Sequence, residues 1–150
     1  MKKWLFSNAT IDPMISVALL ILRVSIGAMM IGLHGWEKYQ NFAQKKDSFP
    51  VPSTFLLNSW MNSTTSLVCT IFAEVVCSAL LIVGFATRPA AAVLAFTMGI
   101  AAFVVLKTQP MAGKELALMY LTAAVVLLFT GAGAYSFDAR FSIVKKRMFS

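Results

Sequence analysis

The sequence predicts an all-α protein, a four-helix transmembrane bundle whose long first loop is extracytoplasmic and carries a short interfacial helix. Three observations predict it. Of 150 residues, 59% are hydrophobic and 13% charged, whereas a soluble domain averages roughly 45–50% apolar and about 25% charged. The apolar residues gather into four runs, each near the roughly 20 residues that cross a bilayer, and the mean hydropathy is +0.77. The 13 Lys and Arg against 6 Asp and Glu give +7, and most of those cations flank the apolar runs, as topology signals do. A soluble enzyme, a disordered tail and an ordinary nucleic-acid binder are thereby excluded. Residues 1–150 are expected to form one domain whose first partner is the lipid bilayer.

The first span is expected over residues 13–33. Asp12 followed by Pro13 reads as an N-cap and a first-turn proline. The run exceeds a signal-peptide core, contains Arg23 and lacks a prompt A-x-A cleavage pattern, so it reads as retained. The second and third spans, 66–86 and 89–106, are separated by Thr87 and Arg88 alone and must form a tight antiparallel hairpin. Pro110 and Gly113 break the chain before a fourth span over 114–130. Residues 34–65 open polar and turn at Pro50 and Pro52. They then reach Thr54-Phe55-Leu56-Leu57-Asn58-Ser59-Trp60-Met61, which is too short to span and suits an interfacial helix.

Four spans put both termini on one side. If that side is cytoplasmic, Lys2, Lys3, Arg88, Arg140, Lys145, Lys146 and Arg147 lie inside, and Lys38, Lys45, Lys46, Lys107 and Lys114 lie outside. Seven against five, with a basic cluster near the end of the chain, favours cytoplasmic termini.

Arg23 and Glu74 stand within apolar runs, where either ion costs roughly 2.5–3.5 kcal/mol at the bilayer centre. Counting from His34 and Ser66, their depths differ by about 4 Å, so an Arg23–Glu74 pair inside the bundle is expected. Such a pair is read either as a register lock or as a ligand or proton site. The stripes Arg23, Gly27, Met30, His34 and Thr70, Glu74, Cys77, Ser78 fit an inward arrangement. A second polar group, His34, Lys38 and Glu115, is expected at the outer rim, with His34 either a structural hydrogen-bonder or a titrating ligand. Cys69 and Cys77 are about 12 Å apart along one helix, too far for a disulfide, and no metal or haem ligand set is visible.

Several strings resemble the DoxX family of small bacterial membrane proteins. They are Leu22-Arg23, His34-Gly35-Trp36-Glu37-Lys38, Glu74, Gly84-Phe85-Ala86-Thr87-Arg88, Glu115-Leu116-Ala117-Leu118 and the run from Gly131 to Asp138. The resemblance extends over about residues 14–139. It implies a four-helix protein of the bacterial inner membrane, and a tie to a thiosulfate:quinone oxidoreductase subunit and to oxidative-stress redox complexes. It marks Gly35, Arg88, Tyr135 and Asp138 as family-like structural positions. The chain departs from the family at Ala134, where a basic residue is common, and in its extended first loop.

Three functions follow. The first is a membrane subunit of a quinone-linked or oxidative-stress redox system, with a quinone head group near His34, Glu115 or the Arg23–Glu74 pair and its tail in grooves at Gly27, Gly32 and Gly99. No redox centre is encoded, so electrons would come from a partner. The second is a non-catalytic assembly protein that docks a partner chain or forms a homo-oligomer. The third is a small proton-coupled transporter, which a permanent cation on Glu74 disfavours. The residues alone do not make the chain an enzyme.

Overall fold

The computed structural model describes residues 12–52 and 61–141. Four helices are long and apolar enough to cross a membrane. They are α1 (Pro13–Gln40), α3 (Ser63–Val83), α4 (Thr87–Val105) and α5 (Met111–Thr130). A short α2 (Phe42–Lys45) follows α1. Among the described residues there is no strand. The fold is the expected all-α four-helix bundle. Most of the stretch expected to form an interfacial helix, residues 53–60, lies outside the described residues.

Each boundary has a local cause. Asp12 caps α1, its carboxylate accepting from Met14 N–H at 2.8 Å, with Pro13 in the first turn. Asn62 caps α3 by accepting from Thr65 N–H at 2.8 Å, so that helix begins three residues before the expected start. Gly84, at φ 73°, ends α3. Its N–H donates to Leu81 at 3.1 Å, and Phe85 N–H donates to Leu80 at 3.0 Å. These two bonds make a Schellman turn that L-residues with a Cβ adopt only under strain.

The largest correction concerns α1. Its 28 residues run to Gln40, seven beyond the expected end, because the polar run after Leu33 continues the helix through a π-helical turn at Ile31–Gly35. At 1.5 Å per residue α1 is about 42 Å long, more than the hydrocarbon thickness. Two further π-helical turns lie in the spans, Phe72–Cys77 in α3 and Ala101–Val105 in α4.

The helices pack in the cyclic order α1, α3, α4, α5, each antiparallel to the next, and α5 returns to α1 across a sparser seam. The core holds Met30, Leu81, Leu94, Tyr120 and Leu127. Phe96, Phe103, Met119 and Phe129 turn outward, as a bilayer-facing surface requires. The segment after α5 folds back over the α3–α4 turn and the start of α1, where Ala134 N–H donates to Ser16 Oγ at 3.2 Å. Both described ends of the chain thus lie at one end of the bundle, called proximal below; the far end is distal.

Candidate functional site

Helix register decides which polar groups meet. A Cβ at Gly27 would stand 2.8 Å from Ser78 O, and one at Gly35 would stand 3.2 Å from Glu74 Cβ and 2.6 Å from Val75 Cγ2. Glycine at these positions lets α1 and α3 approach closely. The contacts set Glu74 level with Gly35 and Arg23 level with Gly84. Twelve residues separate Arg23 from Gly35, about 18 Å along the axis.

The expected Arg23–Glu74 pair therefore does not form. Glu74 takes Lys38 instead, whose ammonium lies 2.9 and 2.7 Å from the two carboxylate oxygens. Glu74 is 4% exposed and the Lys38 side chain 18%. Lys38 stands one turn beyond Gly35 and reaches back into the bundle along its apolar stem. Two of the π-helical turns face each other here, one carrying His34 and Gly35, the other Glu74. Such turns insert an extra residue per turn, re-aim side chains, and are frequent at functional sites.

Two aromatic groups complete this distal centre. The His34 ring meets Tyr120 edge-on, with centroids 5.8 Å apart and planes at 86°. Tyr120 is buried and lies within the electrostatic reach of Glu74. Neither the imidazole nor the phenol hydroxyl makes a hydrogen bond among the described residues. Sequence reasoning passed over Tyr120, although its spacing from Ala124 and Leu127 marks the inward face of α5.

Glu115 does not join His34 and Lys38. It is exposed, makes no ion pair among the described residues, and borders an open groove of ≈ 570 Å³ on the α1–α5 seam with Leu22, Leu118, Met119 and Ala123. The expected rim site is thus divided between two places. Of the glycines expected to line a groove, Gly27 is filled by Ile82 and Ser78, while Gly32 and Gly99 face open space.

The proximal end has its own polar centre. Arg23 is 1% exposed, and its Nη2 donates to the Tyr135 carbonyl. Asp138 accepts from Ala86 N–H at 2.8 Å and from Thr87 N–H at 2.9 Å, while its own N–H donates to Gly84 O at 3.0 Å. A carboxylate more than fifty residues downstream thus caps α4, where the preceding Ala86 sits at φ 48° without a capping side chain. Arg88 donates to the Phe129 carbonyl at 3.3 Å, tying the start of α4 to the end of α5.

Four antiparallel apolar helices with ionisable groups sealed inside define a multi-pass membrane protein in contact with lipid. The DoxX family model matches residues 18–107, and the chain belongs to the DoxX family. That match takes in Arg23, His34, Gly35, Lys38, Glu74 and Arg88 and stops short of Glu115, Tyr120 and Asp138. Comparison with curated proteins and with solved structures returned no match.

Proposed function

We propose that this protein is the inner-membrane subunit of a quinone-linked redox assembly, with its termini cytoplasmic and its distal centre binding the quinone head group. The observation that carries the reading is the sealed Lys38–Glu74 pair on facing π-helical turns, with His34 and Tyr120 beside it. The donor set suits a ring with two carbonyl oxygens. Tyr120 and His34 offer donors that no described acceptor uses, and Lys38 and Glu74 together hold and exchange a proton. The apolar groove between α1 and α5 suits an isoprenoid tail. Quinone would supply the redox chemistry, and a partner chain the electrons. The side chains of this protein bind, orient and exchange protons.

The reading is tested by titrating the full chain in mild detergent with a short-chain benzoquinone and following tryptophan fluorescence, since Trp36 stands two residues after His34 on α1. Saturable quenching is expected, with affinity lowered about 10-fold, or about 1.4 kcal/mol, in Tyr120→Phe and in His34→Ala. Absence of saturable binding, or equal affinity in all three proteins, contradicts it. The transporter reading is disfavoured by Lys38, which occupies the carboxylate that a transported cation would need.

A further inference from the structure

A second cavity, of ≈ 510 Å³, opens at the proximal end between α1, the last turn of α3 and the segment after α5. Its polar base is Arg23, and Leu20, Ile82, Val83 and Phe137 form apolar walls. Arg140 stands exposed on its rim. The base is unfinished. Arg23 gives Nη2 to the Tyr135 carbonyl, but its buried Nε and Nη1 have no acceptor among the described residues. Buried guanidinium donors without acceptors are costly. Asp138 acts electrostatically on Arg23 but turns its two carboxylate oxygens to Ala86 and Thr87.

We infer that this cavity is a phosphate-oxyanion site, filled by the phosphodiester of an anionic phospholipid. A guanidinium N–H is a charge-assisted donor that suits a phosphate oxygen, and Arg23 has such donors idle on Nε and Nη1. Gly84 makes room for the guanidinium itself, because a Cβ there would collide with Arg23 Nη1. Depth favours a lipid over a free ion. The Arg23 guanidinium reaches Gly84, the residue after the last of α3, so the cavity opens at the proximal end of the spans, where a lipid headgroup can approach it. Val83 and Phe137 are about half exposed and offer apolar surface to an acyl chain descending from that phosphate. The inference is independent of the quinone reading, since the two centres lie at opposite ends of the bundle.

Native mass spectrometry of the full chain in mild detergent, titrated separately with phosphatidylglycerol, phosphatidylcholine and inorganic phosphate, tests it. One tightly retained phosphatidylglycerol per chain is expected, with phosphatidylcholine retained at least about 10-fold more weakly. Arg23→Gln is expected to weaken phosphatidylglycerol about 10-fold, and the exposed-site variant Arg140→Gln about threefold. Inorganic phosphate that displaces the lipid stoichiometrically at millimolar concentration would overturn the lipid as source and leave the oxyanion site standing. Equal retention of both lipids overturns the proposal, as does unchanged affinity in a folded Arg23→Gln. Should that variant fail to fold, unchanged affinity in Arg140→Gln overturns it.

Discussion

Glu74→Leu is expected to destabilise the bundle by about 3 kcal/mol, and Lys38→Met in the same chain is expected to restore most of that loss. The single substitution leaves an ammonium, whose side chain is 18% exposed, inside the distal centre without its carboxylate. Breaking one half of a sealed pair costs about 3–5 kcal/mol in soluble proteins. The lower figure applies because the lysine stem lets its head move toward water. Removing both charges leaves two apolar side chains that pack among neighbours of similar character, which is often neutral. Denaturation in mixed detergent micelles, followed by circular dichroism, reads all three proteins. Arg23→Met combined with Glu74→Leu is expected to show no rescue. A Lys38→Met/Glu74→Leu protein as unstable as the sum of its parts would contradict the pairing.

Asp138→Ala is expected to cost a further large amount, about 3 kcal/mol, because it strips the acceptor from two backbone N–H groups at once. A helix cap is worth about 1 kcal/mol on average, and a hydrogen bond to a charged group about 1.5–3 kcal/mol. Here one carboxylate makes two such bonds, at 2.8 and 2.9 Å, and Thr87 N–H is buried. Asp138→Asn keeps one acceptor oxygen and is expected to lose about half as much. The same micellar denaturation measures both. Asp138→Ala within about 0.5 kcal/mol of the parent would mean that water supplies those bonds instead, contrary to this account.

The spans were legible in the sequence because each rests on a local property, an apolar run of sufficient length. The start of α1 was equally legible, since Asp12 and Pro13 act on their own helix. What hydropathy does not reveal is where a helix stops when its last turns are amphipathic. His34-Gly35-Trp36-Glu37-Lys38 has the composition of a loop, yet it continues α1 through a π-helical turn to Gln40. Ending the helix at Leu33 and starting the next at Ser66 set His34 level with Ser66, whereas it lies level with Glu74. Eight residues of error, about 12 Å, moved Arg23 beside the wrong partner. The inward faces survived that error. Of the two expected stripes, Arg23, Gly27, Met30, Glu74, Cys77 and Ser78 are buried and His34 and Thr70 half-buried, because period depends only on local geometry.

The candidate site was legible in its residue types and not in its grouping. His34, Lys38 and Glu74 each stood out as polar groups at membrane depth. Tyr120 did not, being a common residue in an apolar helix until the packing of α5 places it against His34. Asp138 resembled a family position without a mechanism. Its role as a cap depends on the return of residues 131–141 over the α3–α4 turn, a contact between distant parts of the chain that no local pattern encodes.

Disulfide trapping in native membranes reads the α1–α3 register directly. On a Cys69→Ser/Cys77→Ser/Val75→Ala background, which removes the Val75 methyl that a Cβ at position 35 would meet, Gly35→Cys with Glu74→Cys places two Cβ atoms about 3.2 Å apart, close to the roughly 3.5–4.5 Å that a disulfide spans. Rapid, near-complete crosslinking on mild oxidation is predicted for that pair and none for Arg23→Cys with Glu74→Cys. Efficient crosslinking of the Arg23 pair, with the Gly35 pair left reduced, would contradict the register and the Lys38–Glu74 centre built on it.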